Sequence, residues 1–211
     1  MALRTGVTGW APRPAAYAYD SIYRSGDANW DIGRPQEAFV ALEEAGFVGR
    51  RVLDVGTGTG ELALYLARRG HDVLGIDFSP AAVGEATARA HGRRIPVRFL
   101  VWDALRLDEL GLKFDAVTDS AMYHTLGEPD RERFASVLAD VLRPGGRLLL
   151  FCDVRPNDRP VWEGGASEAE LRERFAGPEW DLEWLHRTTF QRRYSTNPAY
   201  IVSVRRTEAQ A

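Results

Sequence analysis

Apolar positions fall along this chain in two alternating rhythms, one nearly unbroken and one spaced by three or four residues. The unbroken kind occupies residues 52–55, 71–77, 95–101, 114–118 and 147–152, as expected of strands covered on both faces. The spaced kind occupies residues 62–67, 80–90 and 130–142, the signature of helices with one buried side. The punctuation agrees with this division. Pro35 stands at the start of a helix over residues 36–42, and Ser79-Pro80 supplies an N-cap with proline in the first turn. Arg143-Pro144-Gly145-Gly146 is expected to end the helix over 130–142. Ser167 and Glu170 form a capping box for a helix reaching Phe175. Strand-like runs at 181–193 and 199–206, with Asn197-Pro198 between them, predict a terminal hairpin. Residues 1–14 carry Gly6, Gly9, Pro12 and Pro14 without periodicity and are expected to be mobile; residues 153–165 read as irregular. Strands alternating with helices imply an α/β fold built on a mostly parallel sheet.

One stretch organises the rest. After the run at 52–55, glycines stand at 56, 58 and 60, and a helical pattern begins at Glu61 and Leu62. A strand, a glycine turn and a helix N-terminus together let a ligand approach the backbone closely and meet free N–H groups. The dinucleotide fingerprint G-x-G-x-x-G is not met, because Glu61 takes the place of its third glycine. Asp54 also precedes the first glycine by two positions. On these residues the chain resembles the class I S-adenosylmethionine-dependent methyltransferases, whose first motif is a hydrophobic strand followed by acid-x-G-x-G-x-G. The run Trp30-Asp31-Ile32-Gly33-Arg34-Pro35 is similar to a segment of the thiopurine and plant halide/thiol branch and of bacterial relatives acting on phenols and quinones.

That resemblance implies a Rossmann-like seven-stranded sheet in the order 3-2-1-4-5-7-6, helices on both faces, and an N-terminal helical lid. It implies a single domain, with residues 1–46 as lid and 47–211 as core. Asp54, Gly56, Thr57, Gly58 and Gly60 would form the loop that holds S-adenosylmethionine, or S-adenosylhomocysteine as product. Asp77, at the tip of the second strand, is assigned the ribose hydroxyls, and Phe78 the flank of the adenine. Asp103 after the third strand matches the acid that binds the adenine amine, with Trp102 and Ala104 beside it; alone, such an Asp is a turn residue. Trp30 either covers the cofactor or is a core aromatic, and for Tyr19 and Tyr23 the core reading leads. Asp119, opening the D-S-x-x-x-H pattern after the fourth strand, is expected near the methionine portion of the cofactor.

Composition narrows the acceptor. Twenty-seven basic residues against 30 acidic ones give a net charge of −3, which offers no attraction to nucleic acid or an anionic membrane. The N/D-P-P-Y/F signature of enzymes that methylate amino groups of bases is also missing. Cys152 is the only cysteine, so no internal disulfide or thiolate metal cluster can form, and no His/Asp/Glu grouping has metal-ligand spacing. The start of the chain lacks a signal-peptide pattern and no run approaches a bilayer span, so a cytoplasmic protein, monomer or homodimer, is expected. The expected partner is a small phenol, quinone, thiol or natural-product intermediate. Methyl transfer needs alignment of the nucleophile more than covalent catalysis. For a hydroxyl acceptor, His124 is the best-placed group to take the proton; otherwise it caps the turn or shapes the pocket wall. A thiol needs less help, since thiols ionise nearer neutral pH. Two other readings remain from the sequence: a non-catalytic S-adenosylmethionine-binding module, and an NAD-type oxidoreductase.

Overall fold

The computed structural model describes residues 14–155 and 164–207. The expectations for residues 1–13, and for most of the irregular stretch 153–165, lie outside the described residues. β1 (Arg51–Val55) and β2 (Asp72–Asp77) are buried along nearly their whole length, as their continuous apolar runs require. They pair in parallel with each other, and β1 pairs in parallel with β4 (Phe114–Ser120). β3 (Arg98–Val101) lies outside β2, while β5 (Leu142–Asp153) lies outside β4. β7 (Thr196–Arg206) runs antiparallel between β5 and β6 (Trp180–Gln191). The sheet therefore has seven strands in the order β3-β2-β1-β4-β5-β7-β6, the order the resemblance implied.

Alternate strand residues feed two different cores. Leu53, Val55, Leu74, Ile76, Leu148 and Leu150 join one cluster with Phe134 and Leu138 of α5 (Glu128–Val141) and Leu171 of α6 (Glu168–Arg174). Val52, Val73, Leu149 and Phe151 join the other, with Phe39 of α2 (Glu37–Glu44) and Leu62 and Leu66 of α3 (Glu61–Arg68). Helices thus cover both faces. Ser79 caps α4 (Pro80–Arg93) by accepting from Ala82 N at 3.2 Å, and Ser167 caps α6 by accepting from Glu170 N at 3.2 Å. Both caps follow from sequence.

Two expectations are corrected. Pro144-Gly145-Gly146 does not lie in a loop between helix and strand: β5 begins at Leu142, directly after α5, and takes in the glycines at a register irregularity opposite Phe114 and Ala116. The hairpin turn is at residues 192–195, where Arg192 N donates to Ser195 O at 2.8 Å, and Asn197 and Pro198 belong to β7, opposite Phe190 and Thr189. Pro198 is tolerated there for a local reason. Its carbonyl accepts from Val154 N on the β5 side, so its missing N–H falls on that side too, past the last β5 pair at Asp153 and Ala199.

The N-terminal segment is fastened over the carboxyl ends of the strands. α1 (Pro14–Ser25) contributes Asp20, which accepts from Ser79 Oγ and Ala81 N, both at 2.8 Å, at the positive end of α4. Asp31 pairs with Arg89 at 3.0 Å. From the hairpin turn, Arg193 donates to Asp31 O at 2.7 Å and to Gly26 O at 2.8 Å. Gln36 and Gln191 exchange two further bonds, at 2.9 and 3.0 Å.

Candidate active site

A cavity of about 260 Å³ opens between the carboxyl ends of the parallel strands and this N-terminal cover, where open α/β sheets bind ligands. Its floor is the glycine loop. Gly56 and Gly58 have φ of +61° and +55°, and a Cβ on Gly58 would come within 2.8 Å of the Tyr23 hydroxyl oxygen. Backbone angle and close approach both require glycine. Asp54 holds the loop from beneath: it accepts from Thr57 Oγ1 at 2.6 Å and from Thr118 Oγ1 at 2.7 Å.

Asp77 sits beside the loop, accepting from Gly58 N and Ser79 N, each at 2.9 Å. Burial pushes the carboxyls of Asp54 and Asp77 up to about 6, and each stands close to another acid, Asp77 beside Asp54 and Asp20 beside Asp77. Asp103 accepts from Leu105 N at 2.9 Å and so starts the 3₁₀ turn over residues 104–110. Above these acids lie rings. Tyr19 is 5.6 Å from Phe78 and 5.8 Å from Trp30, and Trp30 Nε1 donates to Tyr23 Oη at 3.1 Å. Burial, then the charge of Asp77, raises the Tyr23 hydroxyl above its ordinary value.

The cavity wall gathers Trp30, Asp54, Gly56, Thr57, Gly58, Asp77, Phe78, Trp102, Asp103, Ala104 and His124. Two of the expected residues stand elsewhere. Gly60 is the left-handed N-cap of α3 and packs on Phe99 and Ala86. Asp119 was expected near the methionine portion of a cofactor; the structure turns it inward, fully buried, to accept from Met122 N at 2.7 Å and Tyr123 N at 3.0 Å. Its position is that of a clamp on the turn carrying His124, because two free N–H groups follow β4 and the oxygens of a carboxyl group one turn back can take both.

Tyr19 and Tyr23, for which the core reading led in sequence, line the cavity; they are four apart, one helical turn, and so share one face. Asp31, Gln36 and Arg192 also line the cavity. Arg192 comes from the distant hairpin turn and carried no sequence signal.

The donor set suits a nucleoside-type cation. Asp31, Asp54, Glu61, Asp77 and Asp103 line the wall with Arg34 and Arg192; Asp31 and Glu61 are already paired with Arg89, and a positive ligand would relieve Asp54 and Asp77, whose carboxylates burial has destabilised. Asp77 keeps lone pairs beyond the two N–H bonds, enough for a pair of hydroxyls. Among the described residues no group of three or more His, Cys, Asp or Glu could hold a metal ion. No described helix is long and apolar enough to cross a membrane.

A family model described as a methyltransferase domain matches residues 52–146. The chain is 33% identical over 147 residues to the 2-heptyl-1-hydroxyquinolin-4(1H)-one methyltransferase of Mycobacteroides abscessus, covering 68% of this chain and 65% of that protein. It is 39% identical over 139 residues to the demethylmenaquinone methyltransferase of Thermus thermophilus, covering 63% and 60%. The chain thus spans slightly less than two thirds of these curated relatives. A solved structure described under the conversion of a disulfide bond into a thioacetal group during echinomycin biosynthesis is 30% identical, with a TM-score of 0.83 over 92% of this chain and 94% of that one.

Proposed function

The chain belongs to the S-adenosylmethionine-dependent methyltransferases, and from that premise we propose that it methylates an oxygen or sulfur of a small molecule, such as a phenol, quinone, thiol or natural-product intermediate. The observation that carries this reading is the cavity that joins acid-tipped parallel strands to a fastened aromatic cover. S-adenosylmethionine supplies, when bound, a methyl group already activated on a positively charged sulfur. The chain's part is to bind, orient and exclude water. Asp77 would accept from the ribose hydroxyls, Asp103 would accept from the adenine amine, and Phe78, Trp102 and Ala104 would flank the ring. Gly56, Thr57 and Gly58 give the backbone its close approach, and Trp30, with Tyr19, covers the site from residues 14–46. A closed cover of this kind leaves a small acceptor without its hydration shell, which favours attack.

Turnover of labelled S-adenosylmethionine against a panel of phenols and thiols tests the reading, with methylated product expected. Binding of the donor without product from any acceptor would favour a non-catalytic module. Tight binding of NAD with none of S-adenosylhomocysteine would favour an oxidoreductase.

Asp77→Ala should weaken S-adenosylhomocysteine binding by about 1–3 kcal/mol, the usual cost of deleting a buried hydrogen-bond partner. Calorimetry gives the constant and thermal melting shows whether the loop, which loses its anchor at Gly58 N, still folds. An unchanged dissociation constant would remove Asp77 from the ribose site.

A further inference from the structure

His124 and Arg192 line the same cavity and meet on one residue, Asp153. Asp153 N donates to His124 Nδ1 at 3.1 Å. A backbone N–H can only donate, so Nδ1 is bare and the neutral ring carries its proton on Nε2. The ring is neutral because burial lowers it to about 4; of the charged groups around it, Asp153 opposes this while Arg192 and Arg131 reinforce it. An imidazole that already holds a proton on Nε2 cannot accept one there. Its free edge is a donor.

Arg192 has a spare donor as well. Nη1 donates to Asn29 Oδ1 at 3.0 Å, Nη2 donates to Asp153 Oδ2 at 2.8 Å, and the guanidinium lies over the Phe190 ring at 5.4 Å. Its Nε is buried and has no hydrogen-bond partner among the described residues. A buried N–H without an acceptor is costly unless a ligand completes it. The backbone fixes His124 in place. Ala121 takes a left-handed φ of +79° at the end of β4, and the His124 carbonyl accepts from Gly165 N at 3.1 Å and Arg131 Nη2 at 3.2 Å.

Resting on the methyltransferase reading, we propose that His124 and Arg192 form the acceptor subsite and hold the methyl acceptor as an anion, an acidic phenol or thiol, through His124 Nε2–H and Arg192 Nε–H. Hydrogen bonds from such donors to an oxyanion are roughly twice as strong as those to a neutral oxygen. The acceptor's proton leaves to solvent before or during binding. An acceptor lone pair then becomes the new bond to the methyl carbon, the electrons of the carbon–sulfur bond return to sulfur, and both charges are cancelled. The chain moves no proton. Aliphatic alcohols, which need a base, fall outside the class, and His124 changes from expected proton acceptor to anion-binding donor.

The test uses 4-nitrophenol, whose anion and neutral form differ in colour, titrated with protein saturated with S-adenosylhomocysteine. The bound probe should ionise at least one pH unit below the free probe. His124→Phe and Arg192→Met should each weaken binding of the anion by at least fivefold, with S-adenosylhomocysteine affinity within threefold of the parent. His124→Gln, whose carboxamide restores an N–H donor, should recover most of the lost affinity and most of the turnover. A bound probe that keeps its proton overturns the proposal, as does His124→Gln turning over no better than His124→Phe. So does a protein that binds S-adenosylhomocysteine but not the nitrophenolate. Failure to bind S-adenosylhomocysteine at all counts instead against the methyltransferase reading.

Discussion

Arg131→Ala is expected to destabilise the fold by about 3–5 kcal/mol, the range for removing one partner of a buried ion pair. Arg131 has no solvent exposure. Its guanidinium lies 5.0 Å from the centre of the Tyr123 ring, and Nη1 meets Glu170 at 2.5 Å. Nε donates to Leu126 O at 2.8 Å, and Nη2 donates to Gly165 O at 2.8 Å and His124 O at 3.2 Å. Alanine would leave three buried carbonyls short of a donor and Glu170 held by Arg155 and the Tyr123 hydroxyl alone. Arg131→Lys should recover little, since one ammonium cannot reach in these directions as the planar fork does. Pairing Arg131→Met with Glu170→Gln should recover nothing, because Glu170 keeps Arg155 as its partner when Arg131 is lost and the glutamine would leave the Arg155 charge unpaired. Denaturant midpoints measure all three, and a cost below about 1 kcal/mol for Arg131→Ala would show that the pair holds nothing. Since Arg131 and Gly165 both hold the His124 carbonyl, the variant should also raise the acceptor KM while leaving S-adenosylhomocysteine binding near Asp77 nearly unchanged.

The second large effect is a loss of stability with rising pH that depends on Asp119. Burial, and after it the charge of Asp54, pushes the Asp119 carboxyl up to about 8 from an ordinary 3.8. The folded state therefore holds this proton more tightly than the unfolded chain does. Its contribution is full below about pH 4 and is lost as pH rises towards 8. Asp54 and Asp77 act in the same sense up to about 6; His124, lowered to about 4, acts in the opposite sense below its ordinary 6.5. Between pH 7 and 8 Asp119 stands nearly alone, since Cys152, also raised by burial, acts in the same sense only at higher pH. The Asp119 slope there cannot exceed about 1.4 kcal/mol per pH unit, the value for one proton. Asp119→Asn keeps an oxygen for Met122 N and Tyr123 N and removes the titration, so its stability should be flat from pH 7 to 8. Equal slopes in parent and variant, measured by denaturation without ligand, would show that Asp119 is ionised in the folded state throughout.

Much of the site was legible in the chain because its signals are local. The glycines at 56 and 58 and the acids at 54, 77 and 103 stand at strand ends, and a strand end in a parallel sheet has one place to go. Asp119 looked the same in sequence and yet faces inward, since nothing in its neighbours says whether a carboxylate turns to ligand or to the N–H groups of the next turn. Asn197-Pro198 looked like a turn. It lies in a strand because the residues opposite, at 189 and 190, continue the ladder past it.

The sequence by itself determined the succession of strands and helices, the ligand-facing rim, and the loop where the backbone must be glycine, because periodicity and backbone angles act over a few residues. Only the tertiary structure decided which nitrogen of His124 carries its proton, that Arg192 reaches the cavity, and how residues 14–46 are held shut. Those depend on groups far apart in the chain, Asp153 against His124 and the hairpin turn against Asn29 and Asp31, and a hydrogen bond exists only once both partners have been brought to the same place.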